Sequence, residues 1–219
     1  MEQPVAFTSR DGVPLVGRLH LPAGPGPHPA VVVCHPHPLA CGCMDDPRVL
    51  AVVRALLRRN VVALRINFRE QFDEGRAEQG DARRPSVDKG AADDVAGALD
   101  FLTNQPVIAV DRLALAGYSF GAAVVLHQAP REPRIRALAL IAPPGRVLNP
   151  DLLAGFTGPV CIVVGDRDHI SPAVAVRAFA ASLAAPTVLH ILPGTDHFFN
   201  PGLEHMADLV ADFLAGQVR

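Results

Sequence analysis

Gly117-Tyr118-Ser119-Phe120-Gly121 sets a serine between two glycines, each two residues away. An apolar run, Leu113-Ala114-Leu115-Ala116, precedes it, and the helix-like stretch 122–128 follows. Strand, sharp turn and helix with a serine at the apex would hold the hydroxyl clear of its neighbours. Only small flanking residues let strand and helix approach that closely. A serine hydroxyl is a weak nucleophile at neutral pH. It needs a base to take its proton, and the base needs an orienting carboxylate.

Of the nine histidines, His197 is the one placed just after the last apolar run, in Gly194-Thr195-Asp196-His197-Phe198-Phe199. His190, inside that run, reads as a packing residue, and His127 and His205 read as structural or solvated. The carboxylate should stand at the end of the preceding strand, in Gly165-Asp166-Arg167-Asp168. Asp168 is the first choice. Asp166 is the second, with a turn role beside Arg167 as its plainer reading. Asp196 sits too close to His197 in the chain to reach its Nδ1 and reads as a loop-stabilising residue. The order Ser119, Asp168, His197 is that of the α/β-hydrolase triad. Between Ser119 and Asp168 there is room for one strand, a short helical stretch and another strand, but not for a large lid.

Attack on a carbonyl builds negative charge on oxygen, so two backbone N–H groups must already point at it. Phe120, next to the serine at a helix N-terminus, supplies one. The other should come from His35-Pro36-His37-Pro38-Leu39, the loop after the apolar run 30–34. Prolines cannot donate, so the donor is His37 or Leu39, with His37 preferred. Tyr118, Leu39 and Phe198 are the candidate substrate-binding residues; Tyr118 reads equally as a residue packed beneath the turn, and Phe198 reads as core or pocket wall rather than a cofactor platform.

The same loop invites a metal reading, because Cys34, His35, His37, Cys41 and Cys43 lie close together. Cys41-x-Cys43 is tighter than the usual spacing of zinc thiolates, and Cys34 begins inside a buried-strand run. Neither metal nor cofactor is expected. The remaining cysteine, Cys161, also falls in a buried-strand run, so reduced thiols in a cytoplasmic protein are expected.

The elements that must position these residues alternate along the chain. Residues 4–9 and 13–21 flank Arg10-Asp11-Gly12 as a hairpin. Strand runs follow at 30–34, 61–66, 113–116, 137–142, 160–164 and 187–192. Helix faces are spaced by Val49, Val52, Val53 and Leu56, by Val95, Ala98, Leu99 and Leu102, and by Met206, Leu209, Val210 and Phe213. Asp46-Pro47 and Ser171-Pro172 read as helix starts. The polar stretch 69–90 reads as a long surface loop. Alternation predicts a mostly parallel sheet with helices on both faces and sites at the carboxyl ends of the strands.

The bulk numbers suit one α/β domain over 1–219. The chain has 219 residues, 49% hydrophobic and 19% charged, with formal net charge −2. Such a balance favours neither nucleic acid nor a membrane surface as partner. Neither a leader nor a bilayer-spanning segment is expected. The expected partner is a small-molecule ester substrate. Oligomeric state stays open, with a homodimer as one option.

With these residues in place the chain resembles the α/β hydrolases, and more narrowly the small lidless bacterial hydrolases related to dienelactone hydrolase. The matching stretches are His35-Pro36-His37-Pro38, Met44-Asp45, Asn67-Phe68-Arg69, the Gly117–Gly121 turn, Gly165–Asp168 and Asp196-His197-Phe198-Phe199. The resemblance implies an eight-stranded sheet and a Ser119, Asp168, His197 triad. The chain departs from it at Cys41-Gly42, where relatives commonly carry two glycines, and at Glu70-Gln71-Phe72-Asp73-Glu74, which makes the entrance more acidic. Dienelactone hydrolase itself uses a cysteine nucleophile, so Ser119 points to ordinary ester chemistry. The expected activity is a carboxylesterase acting on small-to-medium acyl esters. Alternatives on the same triad are a thioesterase, a small-peptide hydrolase or an acyltransferase. A non-catalytic binding protein on a hydrolase scaffold is a further alternative.

Overall fold

The computed structural model describes residues 1–38, 42–69 and 90–218. Eight strands form one sheet: β1 (Glu2–Thr8), β2 (Pro14–His20), β3 (His28–Cys34), β4 (Val62–Ile66), β5 (Ile108–Tyr118), β6 (Ile135–Ile141), β7 (Val160–Gly165) and β8 (Thr187–Leu192). Their spatial order is β1-β2-β4-β3-β5-β6-β7-β8. β2 is antiparallel to both β1 and β4, and every other pairing is parallel. β7 is an unbroken apolar run, as is the Ala30–Cys34 part of β3, because both faces are covered.

Among the described residues five α-helices do the covering: α1 (Pro47–Arg58), α2 (Ala91–Thr103), α3 (Phe120–Gln128), α4 (Ala173–Ser182) and α5 (Leu203–Gln217). One core gathers Val95 and Leu99 of α2, Val124 of α3 and Val176 of α4 against the sheet. The other gathers Val49, Val52 and Leu56 of α1 with Met206, Val210 and Leu214 of α5 on the opposite face. Asp46 caps α1 by accepting from the Arg48 N–H at 2.8 Å, and Pro47 occupies the first turn, where its missing N–H costs nothing.

Several boundaries differ from the sequence reading, two of them in the elements that flank Ser119. β5 starts at Ile108 rather than Leu113, because its exposed Val110-Asp111-Arg112 step masks the strand pattern beside a shift in register. α3 starts at Phe120 rather than 122, because the Ser119 carbonyl already accepts from Ala122 and Ala123. The loop reading at 69–90 falls almost wholly outside the described residues. β6 and β7 are joined by two short 3₁₀ turns, Gly145–Val147 and Pro150–Leu153, with no inserted domain.

The strand order reverses at β3, which has β4 on one side and β5 on the other. Such a switch point leaves a crevice at the carboxyl ends of the strands. Cys34 pairs with Gly117 across β3 and β5, so the loop leaving β3 and the turn leaving β5 emerge side by side.

Candidate active site

Ser119 has φ 54° and ψ −111°, a backbone region that L side chains rarely adopt. The surrounding packing enforces it. A Cβ on Gly117 would overlap the backbone of Gly121, and one on Gly121 would overlap the carbonyls of Cys34 and His35. The Ser119 N–H donates to the Ile141 carbonyl of β6 at 2.9 Å, which fixes the turn from the other side.

The ends of β5, β7 and β8 bring three side chains together. His197 Nε2 lies 3.1 Å from Ser119 Oγ, and His197 Nδ1 lies 2.7 Å from Asp168 Oδ2. The carboxylate can only accept, so Nδ1 carries the proton and Nε2 offers its lone pair to the serine hydroxyl. The other oxygen of Asp168, Oδ1, accepts from the N–H groups of Ile170 (2.8 Å) and Ser171 (2.7 Å). Burial alone would raise the Asp168 pKa. The bonds from His197, Ser171 and Ile170 outweigh that and hold it below the ordinary carboxylate value. Asp166 is exposed, with its N–H on the Leu192 carbonyl. Asp196 Oδ1 accepts from the N–H groups of Phe198 and Asn200, both at 3.0 Å, and so shapes the loop.

Phe120 stands in the first turn of α3, where its N–H has no partner within the helix. The His37 ring meets the Phe120 ring edge-on at 5.0 Å, which places the loop after β3 against the start of α3. Burial and the nearby Arg146 lower the His37 pKa. Leu39, named as a substrate-binding candidate, lies outside the described residues, as does Cys41. Cys34 is buried in β3 and Cys43 is half-buried. Among the described residues no three His, Cys, Asp or Glu side chains gather as ligands for a metal ion.

A cavity of about 370 Å³ opens over Ser119 and His197, with Pro36, His37, Tyr118, Phe120 and Phe198 in its wall. Tyr118 both lines this cavity and packs. Its ring is buried, and its hydroxyl donates to the His197 carbonyl at 3.0 Å. Phe198 is 55% exposed and meets the His197 ring edge-on at 5.7 Å.

Sequence reasoning missed Asp46, Arg48, Pro144, Arg146 and Ile170 in the wall. Arg48 is the most telling of them. Its guanidinium lies 5.2 Å from the Tyr118 ring centroid and 5.6 Å from that of Phe198, and it pairs with Asp46 at 2.5 Å. A cation in the first turn of a helix opposes the helix dipole, and that local conflict was the available signal.

Fold, strained serine turn and cavity together define an α/β hydrolase. A model of the dienelactone hydrolase family matches residues 15–212, and the chain belongs to that family. It is 32% identical over 200 residues to an uncharacterised protein of Rickettsia prowazekii, covering 85% of this chain and 78% of the relative. Among solved structures, a protein of unknown function from Agrobacterium tumefaciens superposes with TM-score 0.81 at 28% identity, covering 99% of this chain and 98% of that one. A lidless α/β serine hydrolase from Xanthomonas campestris gives 0.76 at 26% identity, covering 100% and 94%. Among the described residues no helix is long and apolar enough to cross a membrane.

Proposed function

We propose that this hydrolase is a serine carboxylesterase that cleaves small-to-medium acyl esters through an acyl-enzyme on Ser119. The supporting observation is the pair of hydrogen bonds at His197, 3.1 Å to Ser119 Oγ and 2.7 Å to Asp168 Oδ2. Ser119 Oγ attacks the ester carbonyl carbon while His197 Nε2 takes its proton. Asp168 keeps the imidazole in the tautomer that can accept, and stabilises the imidazolium that forms. The oxyanion is received by the N–H groups of Phe120 and His37. The tetrahedral intermediate expels the alcohol, which takes the proton from His197. A water then repeats the sequence and releases the acid. Tyr118 and Phe198 line the cavity that would take the substrate.

A fluorophosphonate probe tests the nucleophile, and a series of p-nitrophenyl esters of increasing acyl length tests the pocket. Labelling of wild type but not of Ser119→Ala, with turnover falling beyond medium chains, is expected. Folded wild-type protein that resists the probe would favour the binding-protein reading. Matched thioester and amide substrates would separate the remaining activities on the same triad.

A further inference from the structure

His35 is fully buried at the end of β3, and the reaction above gives it no role. Both of its ring nitrogens are engaged. Nδ1 lies 2.6 Å from the Pro36 carbonyl oxygen, and Nε2 lies 3.2 Å from the Phe68 backbone nitrogen. A carbonyl only accepts and an amide only donates. The ring is therefore the neutral Nδ1–H tautomer, and no nitrogen remains to serve as a base.

The Pro36 carbonyl shares its peptide unit with the His37 N–H. The cis peptide bonds are Gly26-Pro27 and Asn200-Pro201, so this unit is trans. In a planar trans peptide the C=O and N–H point in opposite directions. Drawing the Pro36 oxygen onto the His35 ring therefore aims the His37 N–H away from that ring. Pro36, His37, Ser119 and Phe120 all line the cavity. Gly42 closes the other side. Its N–H donates to the His37 carbonyl at 3.0 Å, and a Cβ there would overlap the Pro36 and His37 carbonyl oxygens. The His35 ring is wedged against Phe68 at 4.8 Å, and Phe68 meets Phe120 edge-on at 5.5 Å. One aromatic cluster thus joins His35 to the residue that carries the other donor.

We propose that His35 is a positioning residue that locks the Pro36–His37 peptide plane so that the His37 N–H is held ready for the oxyanion. This rests on the esterase reading above. Rotating the plane would present a carbonyl oxygen where negative charge develops, so the lock acts on the transition state and hardly on substrate binding. It touches no reacting atom.

Two substitutions divide the ring's two bonds. His35→Asn places an amide N–H at the Nδ1 position, able to donate to the Pro36 carbonyl, and gives up the bond to Phe68. His35→Gln places a carbonyl oxygen at the Nε2 position, able to accept from Phe68, and gives up the donor. With p-nitrophenyl butyrate, His35→Gln is expected to lose about 10- to 100-fold in kcat with KM little changed, on the scale of a weakened oxyanion donor. An alkyl boronic acid, which adds to Ser119 and mimics the tetrahedral state, should bind it more weakly by a similar factor. His35→Asn should recover most of that loss even where its melting temperature falls as far. The inference is overturned if His35→Gln keeps wild-type kcat, or if the two variants lose kcat equally in proportion to lost stability. Should both fail to fold, nitrogen NMR of the wild-type ring decides. The Nδ1–H tautomer, with a downfield shift of the His37 amide proton on boronate binding, supports the lock, and an Nε2–H tautomer or an unmoved His37 proton sinks it. Failure of the wild type to label at Ser119 would instead bring down the esterase reading, and this inference with it.

Discussion

The phenol of Tyr118 and the backbone of His197 are tied across the sheet. The hydroxyl donates to the His197 carbonyl oxygen at 3.0 Å, and the two rings stand 5.5 Å apart. Tyr118 is the last residue of β5, directly before the serine, whereas His197 lies in the loop after β8. The bond thus couples the strand that leads into Ser119 to the loop that carries His197. Burial raises the Tyr118 pKa, so the phenol stays protonated and remains a donor.

Tyr118→Phe removes that coupling and leaves a buried carbonyl without its donor. A net hydrogen bond of ~1 kcal/mol corresponds to about a fivefold change in rate or equilibrium. We expect kcat to fall by roughly that factor, KM to stay near wild type and stability to drop by a similar energy. Stopped-flow acylation and thermal melts measure both. A variant indistinguishable from wild type in both would show that the bond is incidental.

Asp168→Asn keeps the shape of the side chain and can keep its bonds from Ile170 and Ser171. It cannot favour the Nδ1–H tautomer of His197 as a carboxylate does. Turnover should drop by about 10⁴ while the fold survives. Asp166→Asn, at an exposed turn position, should change turnover by less than about twofold, as surface substitutions generally do. Steady-state kinetics on the two variants settles which aspartate matters.

Acid should weaken the fold before the carboxylates titrate. Burial pushes the His35 pKa down from 6.5 to about 4. Burial also lowers His20, assisted by the Arg65 guanidinium that donates to its Nε2 at 2.9 Å. Between about 4 and 6.5 the unfolded chain binds a proton that folded His35 refuses, and His20 acts in the same direction. Stability therefore rises with pH across that window and is lost as pH falls through it. His35 alone would account for up to about 3 kcal/mol. The Asp168 contribution, with its pKa depressed, is present above the ordinary carboxylate value and fades only below it. Urea midpoints should decline from pH 7 to pH 5, and His35→Asn should flatten the decline. An unchanged slope in that variant would place the lost stability elsewhere.

Arg48→Met keeps the aliphatic stem and removes the stacking on Tyr118 and Phe198 together with the pair to Asp46. Cation–π contacts of this kind are worth about 0.5–2 kcal/mol. With Phe198 largely exposed and the arginine gone, the cavity wall loosens. We expect KM for aromatic esters to rise about three- to tenfold, which is that energy expressed as affinity, with a smaller effect on kcat. A loss confined to kcat would point instead to the His197 loop.

Gly121→Ala tests the turn itself. Its Cβ would meet the carbonyls of Cys34 and His35, which are backbone and cannot swing aside. Overpacking costs typically about 1–3 kcal/mol, and here the strain falls on Ser119 as well. Reduced thermal stability together with lost probe labelling is expected. Wild-type labelling would mean that the strand and helix can separate without consequence.

Much of this was legible along the chain. The glycines around Ser119, the order Ser119, Asp168, His197 and the alternating apolar runs are local patterns. They declare the elements and the residue types at strand ends, because side-chain periodicity and turn chemistry are written in neighbouring positions. Asp166 was set second to Asp168 because a turn role beside Arg167 is its plainer reading. The start of β5 was obscured because its exposed Asp111 and Arg112 break the apolar run, and the start of α3 because it depends on the Ser119 carbonyl.

Tertiary structure alone decided what the loops do to one another. Arg48 became a cavity wall only when α1 packed beside the end of β5 and the His197 loop. His35 gained its Phe68 partner only when β3 and β4 paired and brought Phe68 alongside. Such contacts join residues far apart in the chain, and their directions depend on strand order and register, which no window of neighbouring residues contains. Residue types were settled by the sequence, whereas the direction in which a buried donor points was settled by packing, because burial penalises any orientation that leaves a backbone polar group unpaired.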